Sequence, residues 1–146
     1  MEHQLPRAQE LERAAALILG SLALVPLTDV GRIVLLIQDA RPGCGAICAA
    51  FGLIGWLFLA AALVDLGLAI AIWKGTRLGP VVGLGFSVVG VAWTVSDLNR
   101  LLASGFGPTD PEIVRTVALL AAFAAIALLL GVALVRRAMR LRQLRP

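Results

Sequence analysis

Asp65 is the most chemically unusual residue of this sequence, because it is the one charged residue in an apolar stretch from Ala46 to Trp73. On a helix it lies about 13 Å from Lys74, near the midplane of a bilayer crossed by that stretch. An ionised carboxylate costs roughly 2.5–3.5 kcal/mol there. Such a group must be protonated, paired or exposed to a polar cavity. It could carry a proton or bind a cation in a transporter, or it could orient the helices or contact a partner subunit, which is the interpretation we favour.

Asp29 and Arg32 are candidate partners for Asp65. They lie in the first apolar stretch, and a spacing of three residues places them on one face of a helix, where they can pair. Both approach the depth of Asp65 if the first span extends to Ile37. We therefore predict a polar network of Asp29, Arg32 and Asp65 inside the membrane.

The same Asp and Arg spacing recurs at Asp97 and Arg100. Residues 28–32 resemble residues 96–100, since each segment has a hydroxyl residue, then Asp, then Arg three positions later. We predict that Asp97 and Arg100 form a pair at the outer end of the third stretch. The recurrence indicates either a duplicated two-span unit with a polar cluster at its outer face or, as we favour, independent use of Asp and Arg as boundary anchors.

Cys44 and Cys48 are the two cysteines of the chain and lie just before or at the start of the second apolar stretch. A pair at this position resembles the DsbB and vitamin K epoxide reductase families, which implies a membrane thiol oxidoreductase working near a quinone. Those families use a two-residue spacing and a further cysteine pair, whereas three residues separate Cys44 from Cys48 here. A catalytic pair, a structural disulfide and two small apolar lining residues are the alternatives, and we favour the last.

Four apolar stretches must position all of these residues. They cover about residues 14–37, 46–73, 78–97 and 113–135, and roughly 20 helical residues suffice to cross ~30 Å of hydrocarbon. The chain is 60% hydrophobic and 15% charged, with a mean hydropathy of +0.92, which lies outside the usual range of soluble proteins. The sequence therefore predicts an all-α polytopic integral membrane protein, a four-helix transmembrane bundle in a single domain of residues 1–146.

Positive charge predicts the topology of this bundle. Nine basic residues lie before the first span, between the second and third, or after the fourth, and cationic segments of this kind stay in the cytoplasm. We expect a multi-pass protein of a bacterial inner membrane with both termini cytoplasmic; the excess of arginine over lysine, like the abundance of Ala, Gly, Val and Leu, indicates a GC-rich bacterial genome. Residues 136–146 are expected to form a basic tail that anchors to lipid headgroups, with an acidic partner as the alternative. Its arginines are Arg136, Arg137, Arg140, Arg142 and Arg145.

Small residues recur every four positions on the second and third stretches, a spacing that lets helices approach closely in lipid. They are Gly67, Ala71 and Gly75, followed by Gly79, Gly83 and Ser87. This pattern indicates packing within the bundle, with homo-oligomerisation as the second interpretation.

Complete catalytic or cofactor signatures are absent from the sequence. His3 is its one histidine, so we expect no metal, haem or other cofactor, and the placement of the arginines argues against nucleic-acid binding. We expect a non-enzymatic protein that packs with itself or serves as an accessory subunit of a larger membrane complex. A proton- or cation-coupled transporter or channel using Asp65 is the first alternative, and a thiol oxidoreductase using Cys44 and Cys48 is the second.

Overall fold

The fold is a bundle of α-helices, seen in a computed structural model that describes residues 8–39 and 45–143. The described ranges contain no strand, which confirms the all-α prediction. Four helical segments are long and apolar enough to cross a membrane: Ala8–Gln38, Cys48–Trp73, Gly79–Ala103 and Pro111–Arg142. The helices are α1 (Ala8–Leu22), α2 (Leu24–Asp39), α3 (Gly45–Trp73), α4 (Gly79–Ala103) and α5 (Pro111–Gln143).

The first span is broken into two helices at Ala23, a break that the apolar pattern alone does not predict. Pro26 lies four residues after Leu22. It has no N–H to donate to the Leu22 carbonyl, and its ring clashes with that carbonyl in a regular helix. The chain therefore turns at Ala23, so that α1 packs on both α3 and α5, whereas α2 packs mainly on α3.

A tight turn joins α3 to α4. Gly75 adopts a φ of 70°, which glycine reaches without steric cost. The Thr76 hydroxyl donates a 2.9 Å hydrogen bond to the Ala71 carbonyl and accepts one of 3.1 Å from the Gly79 N–H. Pro80 follows in the first turn of α4, where its missing N–H removes no helical hydrogen bond.

We call the end of the bundle with this turn, the start of α1 and the end of α5 the basic end, and the opposite end the far end. Near the basic end, α1 packs between α3 and α5. Leu19, Ile72, Ile126 and Leu130 are fully buried there and form the centre of the hydrophobic core. Toward the far end, α2 packs mainly on α3, and α4 packs on α5.

Glycines of α4 let the neighbouring helices come close. A Cβ atom at Gly83 would lie 2.7 Å from Cδ1 of Ile72, and one at Gly90 would lie 2.6 Å from Cδ1 of Phe123. Gly79 and Ser87 are buried on the same face of α4. By contrast, a Cβ atom placed at Gly67 of α3 would have no atom of residues 8–39 or 45–143 within 4 Å, apart from its own chain neighbours and helix backbone. The two small-residue ridges therefore have different surroundings.

Candidate functional site

Asp65 lies on the face of α3 that points into the bundle. Ala62, Asp65, Ala69 and Ile72 are all buried, and their spacing of three, four and three residues is that of one helical face. Only 8% of Asp65 is exposed. The charged residue of the second span is therefore held among the other helices rather than turned toward lipid.

Close contacts of glycines fix the level of Asp65 in the bundle. A Cβ atom at Gly20 would lie 3.7 Å from Cβ of Ala69, and one at Gly55 would lie 3.6 Å from Cγ2 of Ile33. In antiparallel helices this register places Asp65 opposite residues 23–24. Its carboxyl group therefore lies at the height where the first span is broken.

A close contact of another glycine gives the level of α4 relative to Asp65. The approach of Gly83 to Ile72 puts Gly90 opposite Asp65 across the α3–α4 pair. Two buried hydroxyl groups lie within about a turn of that level, but both are engaged in their own helix. Ser87 donates to the Gly83 carbonyl at 2.7 Å, and Thr94 donates to the Gly90 carbonyl at 2.9 Å.

No hydrogen bond or ion pair joins Asp65 to any residue that the structure describes. An isolated ionised carboxylate is strongly unfavourable in an apolar interior. The carboxyl group must therefore be protonated, hydrated or matched by a group brought from outside the described part of the chain. In the protonated or hydrated state the group can exchange a proton or a cation, whereas a matching group would hold it as a fixed ion pair.

Asp29 forms an ion pair with Arg115 of α5. Asp29 is 9% exposed and Arg115 is half-buried, so the pair is shielded from solvent only in part. It joins α2 to the first turns of α5, two helices whose apolar side chains pack mainly on other partners. Arg115 therefore takes the position that the sequence reasoning assigned to Arg32.

The three residues of the predicted network are not brought together. The Arg32 side chain is exposed. The register of α2 on α3 places Asp29 opposite residues 59–60, about 8 Å along the axis from Asp65. Asp29 and Asp65 thus occupy separate levels of the bundle.

Sequence reasoning missed Arg115 because 86 residues separate it from Asp29. Counting along the helices places Arg115 only about 6 Å from the start of α5 at Pro111, whereas Asp29 lies about 15 Å from the end of α2 at Asp39. A charge inside a span needs a partner from another helix. Depth counted along the chain does not identify that partner here, because the two residues are counted at different depths.

Asp97 and Arg100 lie on α4 at the far end. Asp97 is half-buried and Arg100 is exposed, and both line a small cavity of about 90 Å³ with Trp93 and Ser96. The described part of the chain shows no ion pair between them. Because α4 packs on α5 whereas α2 packs on α3, residues 28–32 and 96–100 belong to different helix pairs.

Helix α5 continues without a break through most of the basic tail. Arg136, Arg137, Arg140 and Arg142 belong to it, and Arg145 lies outside the described residues. Arg137 donates a 2.6 Å hydrogen bond to Oε2 of Glu12, which is only 1% exposed. Glu12 was not among the expected site residues, because acidic residues before a first span are ordinarily solvated.

Comparison with known proteins adds no relative: no family model, curated protein or solved structure matches this chain. The identification therefore depends on the four apolar helices and their arrangement. The chain is a small multi-pass membrane protein. Among its described residues, no three His, Cys, Asp or Glu side chains come together as metal ligands.

The cysteine pair is placed only in part. Cys44 lies outside the described residues, so a disulfide between Cys44 and Cys48 stays a prediction. Cys48 is half-buried in the first turn of α3, about 25 Å along the helix from Asp65. Cys48 is itself disulfide-bonded and is not a free thiol, and at this distance its redox chemistry would be separate from proton chemistry at Asp65.

Proposed function

We propose that this small membrane protein acts without catalysis, by packing its helices against a second copy or against a larger membrane complex. The observation that carries the proposal is the outward face of α3. Ala60, Val64 and Gly67 follow one another at helical spacing, and all three are exposed. The middle of a span therefore offers another helix a small-residue surface.

The contrast with α4 supports this proposal. The glycines at positions 83 and 90 are covered by side chains of neighbouring helices, whereas no described residue comes within 4 Å of a Cβ position at Gly67. Association of helices in lipid depends on close van der Waals packing, and small residues allow that approach. The face around Gly67 combines Ala60 and Gly67 with the branched Val64, and its small residues would allow the close approach of another helix.

Gly67→Leu tests the proposal, with Gly85→Leu as its matched control. Gly85 is exposed on α4 and is equally free of neighbours, so the two variants place the same side chain in the same kind of surroundings. Subunit counting by single-molecule photobleaching in native membranes, with affinity purification, measures self-association and stable partners. Loss of association in Gly67→Leu alone supports the proposal. Equal behaviour of both variants contradicts it.

The proposed orientation places both chain ends in the cytoplasm. Its support is the clustering of Arg13, Lys74, Arg77 and the α5 arginines at one end of the bundle. A C-terminal reporter that is active only in the cytoplasm is the expected result. Activity only on the opposite side would reverse the orientation.

A proton- or cation-coupled transporter is the second candidate, favoured by the surroundings of Asp65. This carboxyl group is buried, has no partner among the described residues and lies opposite the break in the first span. Discontinuous helices and midplane carboxylates are features of secondary transporters. In proteoliposomes, Asp65→Asn should abolish proton or monovalent-cation flux while Asp97→Asn retains it. Flux that is absent from the wild-type protein, or unchanged in Asp65→Asn, rejects this function.

A further inference from the structure

A cavity of about 610 Å³ opens at the basic end, between the start of α1, the end of α3 and the end of α5. Five charged side chains line it, four of them cationic: Glu12, Arg13, Lys74, Arg137 and Arg140. Basic cavities between helices at a membrane surface bind phosphate-containing headgroups. The excess of positive charge therefore selects an anionic group.

Glu12 is the one acidic residue among the charged side chains named above. One carboxylate oxygen, Oε2, accepts the hydrogen bond from Arg137. The other, Oε1, is buried and has no hydrogen-bond partner among the residues that the structure describes. A buried acceptor without a donor costs stability. A ligand that suits this cavity therefore carries a hydrogen-bond donor close to its phosphate.

An apolar groove of about 360 Å³ lies next to the cavity, along the seam of α1 and α3. Trp73 lines both the cavity and the groove, so the two meet at its ring. The Arg13 guanidinium lies over that ring, 5.6 Å from its centre. Side chains that line the groove include Leu17, Ser21, Leu66 and Ile70.

This arrangement has the polarity of a phospholipid. Charged groups lie at the membrane surface, an amphipathic indole lies at the boundary, and apolar side chains continue into the span. The absence of a side chain at Gly20 keeps the groove open next to Ala69. An acyl chain fits such a groove, whereas a free anion would occupy only the cavity.

We propose that this site binds one phospholipid whose headgroup carries a hydrogen-bond donor, an ethanolamine ammonium or a glycerol hydroxyl. Lys74 and Arg140 contact the phosphate, the donor reaches Oε1 of Glu12 when the side chains that cover this atom shift, and one acyl chain follows the α1–α3 groove past Trp73. Arg137 keeps its bond to Glu12 and so holds the carboxylate in position. The bound lipid would satisfy the buried acceptor and join α1, α3 and α5 at the basic end.

Native mass spectrometry of the detergent-purified protein tests this site. Phosphatidylethanolamine, phosphatidylglycerol and phosphatidylcholine with identical acyl chains are added in turn. Phosphatidylcholine has the phosphate but no N–H or O–H donor, so we expect it to bind more weakly than the other two. Equal binding of all three lipids would overturn the proposal.

Lys74→Gln with Arg140→Gln should weaken phosphatidylethanolamine binding about twenty-fold, because each cation near a phosphate contributes about five-fold. Arg77→Gln is the control, since Arg77 is exposed at the same end of the bundle and does not line the cavity. Binding unchanged in the double variant, or lowered equally in the control, argues against the site.

Two further experiments distinguish a phospholipid headgroup from free phosphate as the ligand. Ser21→Phe fills the groove and should reduce lipid binding, while leaving the cavity untouched. Inorganic phosphate and glycerophosphoethanolamine lack acyl chains and should compete poorly with the lipid. Competition by either at comparable concentration would mean a site for free phosphate, contrary to the proposal. Native mass spectrometry also resolves the oligomeric state, so lipid binding is measured for each state and is distinguished from association through α3.

Discussion

The two halves of this bundle are held together by different physical means. In the basic half, α1 packs between α3 and α5, and large apolar side chains are completely buried. In the far half, α2 follows α3 and α4 follows α5, and the Asp29–Arg115 ion pair joins the two helix pairs. The difference begins at Pro26, because beyond the break that it imposes the first span stays on α3 and leaves α5.

This difference indicates where the molecule can move. A continuous apolar core opens only with loss of many contacts at once, whereas two helix pairs joined by an ion pair can separate locally. Asp65 lies at the boundary of the two halves, opposite the break. A proton or cation bound there would therefore affect the part of the bundle that is easier to rearrange.

Leu130→Ala should have the largest effect among the variants that test this comparison. Leu130 is fully buried in the core of the basic half, and truncation of such a residue costs about 2–5 kcal/mol. Leu128→Ala is the control, because Leu128 is 69% exposed on the same helix. Reversible unfolding in mixed micelles measures both. Similar stabilities of the two variants would mean that no tight core exists at this end.

Gly90→Val should have the next largest effect, because its added side chain overlaps the ring of Phe123. Overpacking of this kind costs about 1–3 kcal/mol. The same change at Gly85, which has open space around it, should leave the free energy of unfolding unchanged. If Gly90→Val unfolds like the wild-type protein, α4 and α5 are farther apart than described.

Arg115→Gln should destabilise the far half by about 1–2 kcal/mol, since it leaves the Asp29 carboxylate buried without its partner. Hydrogen exchange should accelerate in α2 and at the start of α5, but not in α1. Adding Asp29→Asn should recover part of the loss, because the uncompensated charge is then removed. A uniform acceleration through all helices would mean that the two halves unfold together.

Arg100→Gln should have the smallest effect, within about 0.5 kcal/mol, because the side chain is exposed and has no ion-pair partner in the described residues. Arg115→Gln removes the ion-pair partner of Asp29 in residues 28–32, whereas Arg100→Gln acts on residues 96–100. Comparing the two variants therefore shows whether both segments contribute to stability. A loss of stability as large as that of Arg115→Gln would indicate that Asp97 and Arg100 form a structural pair after all.

The amino-acid sequence by itself determined the secondary structure and the number of spans. Uninterrupted apolar stretches of about 20 residues can satisfy their backbone groups in lipid only as helices. The same reasoning identified Asp65 as a costly residue, because insertion depth follows from counting along a helix. These conclusions need no knowledge of which helices are neighbours.

Tertiary structure alone decided which faces and which charges meet. On a span such as α3, lipid-facing and core-facing positions are equally apolar, so hydrophobic periodicity does not distinguish them. The burial of Glu12, the pairing of Asp29 with Arg115 and the covering of Gly90 rather than Gly67 all depend on helix order and register. These contacts join residues far apart in sequence, and lipid is as apolar as the core of the bundle. The local amino-acid sequence therefore contains no pattern that predicts them.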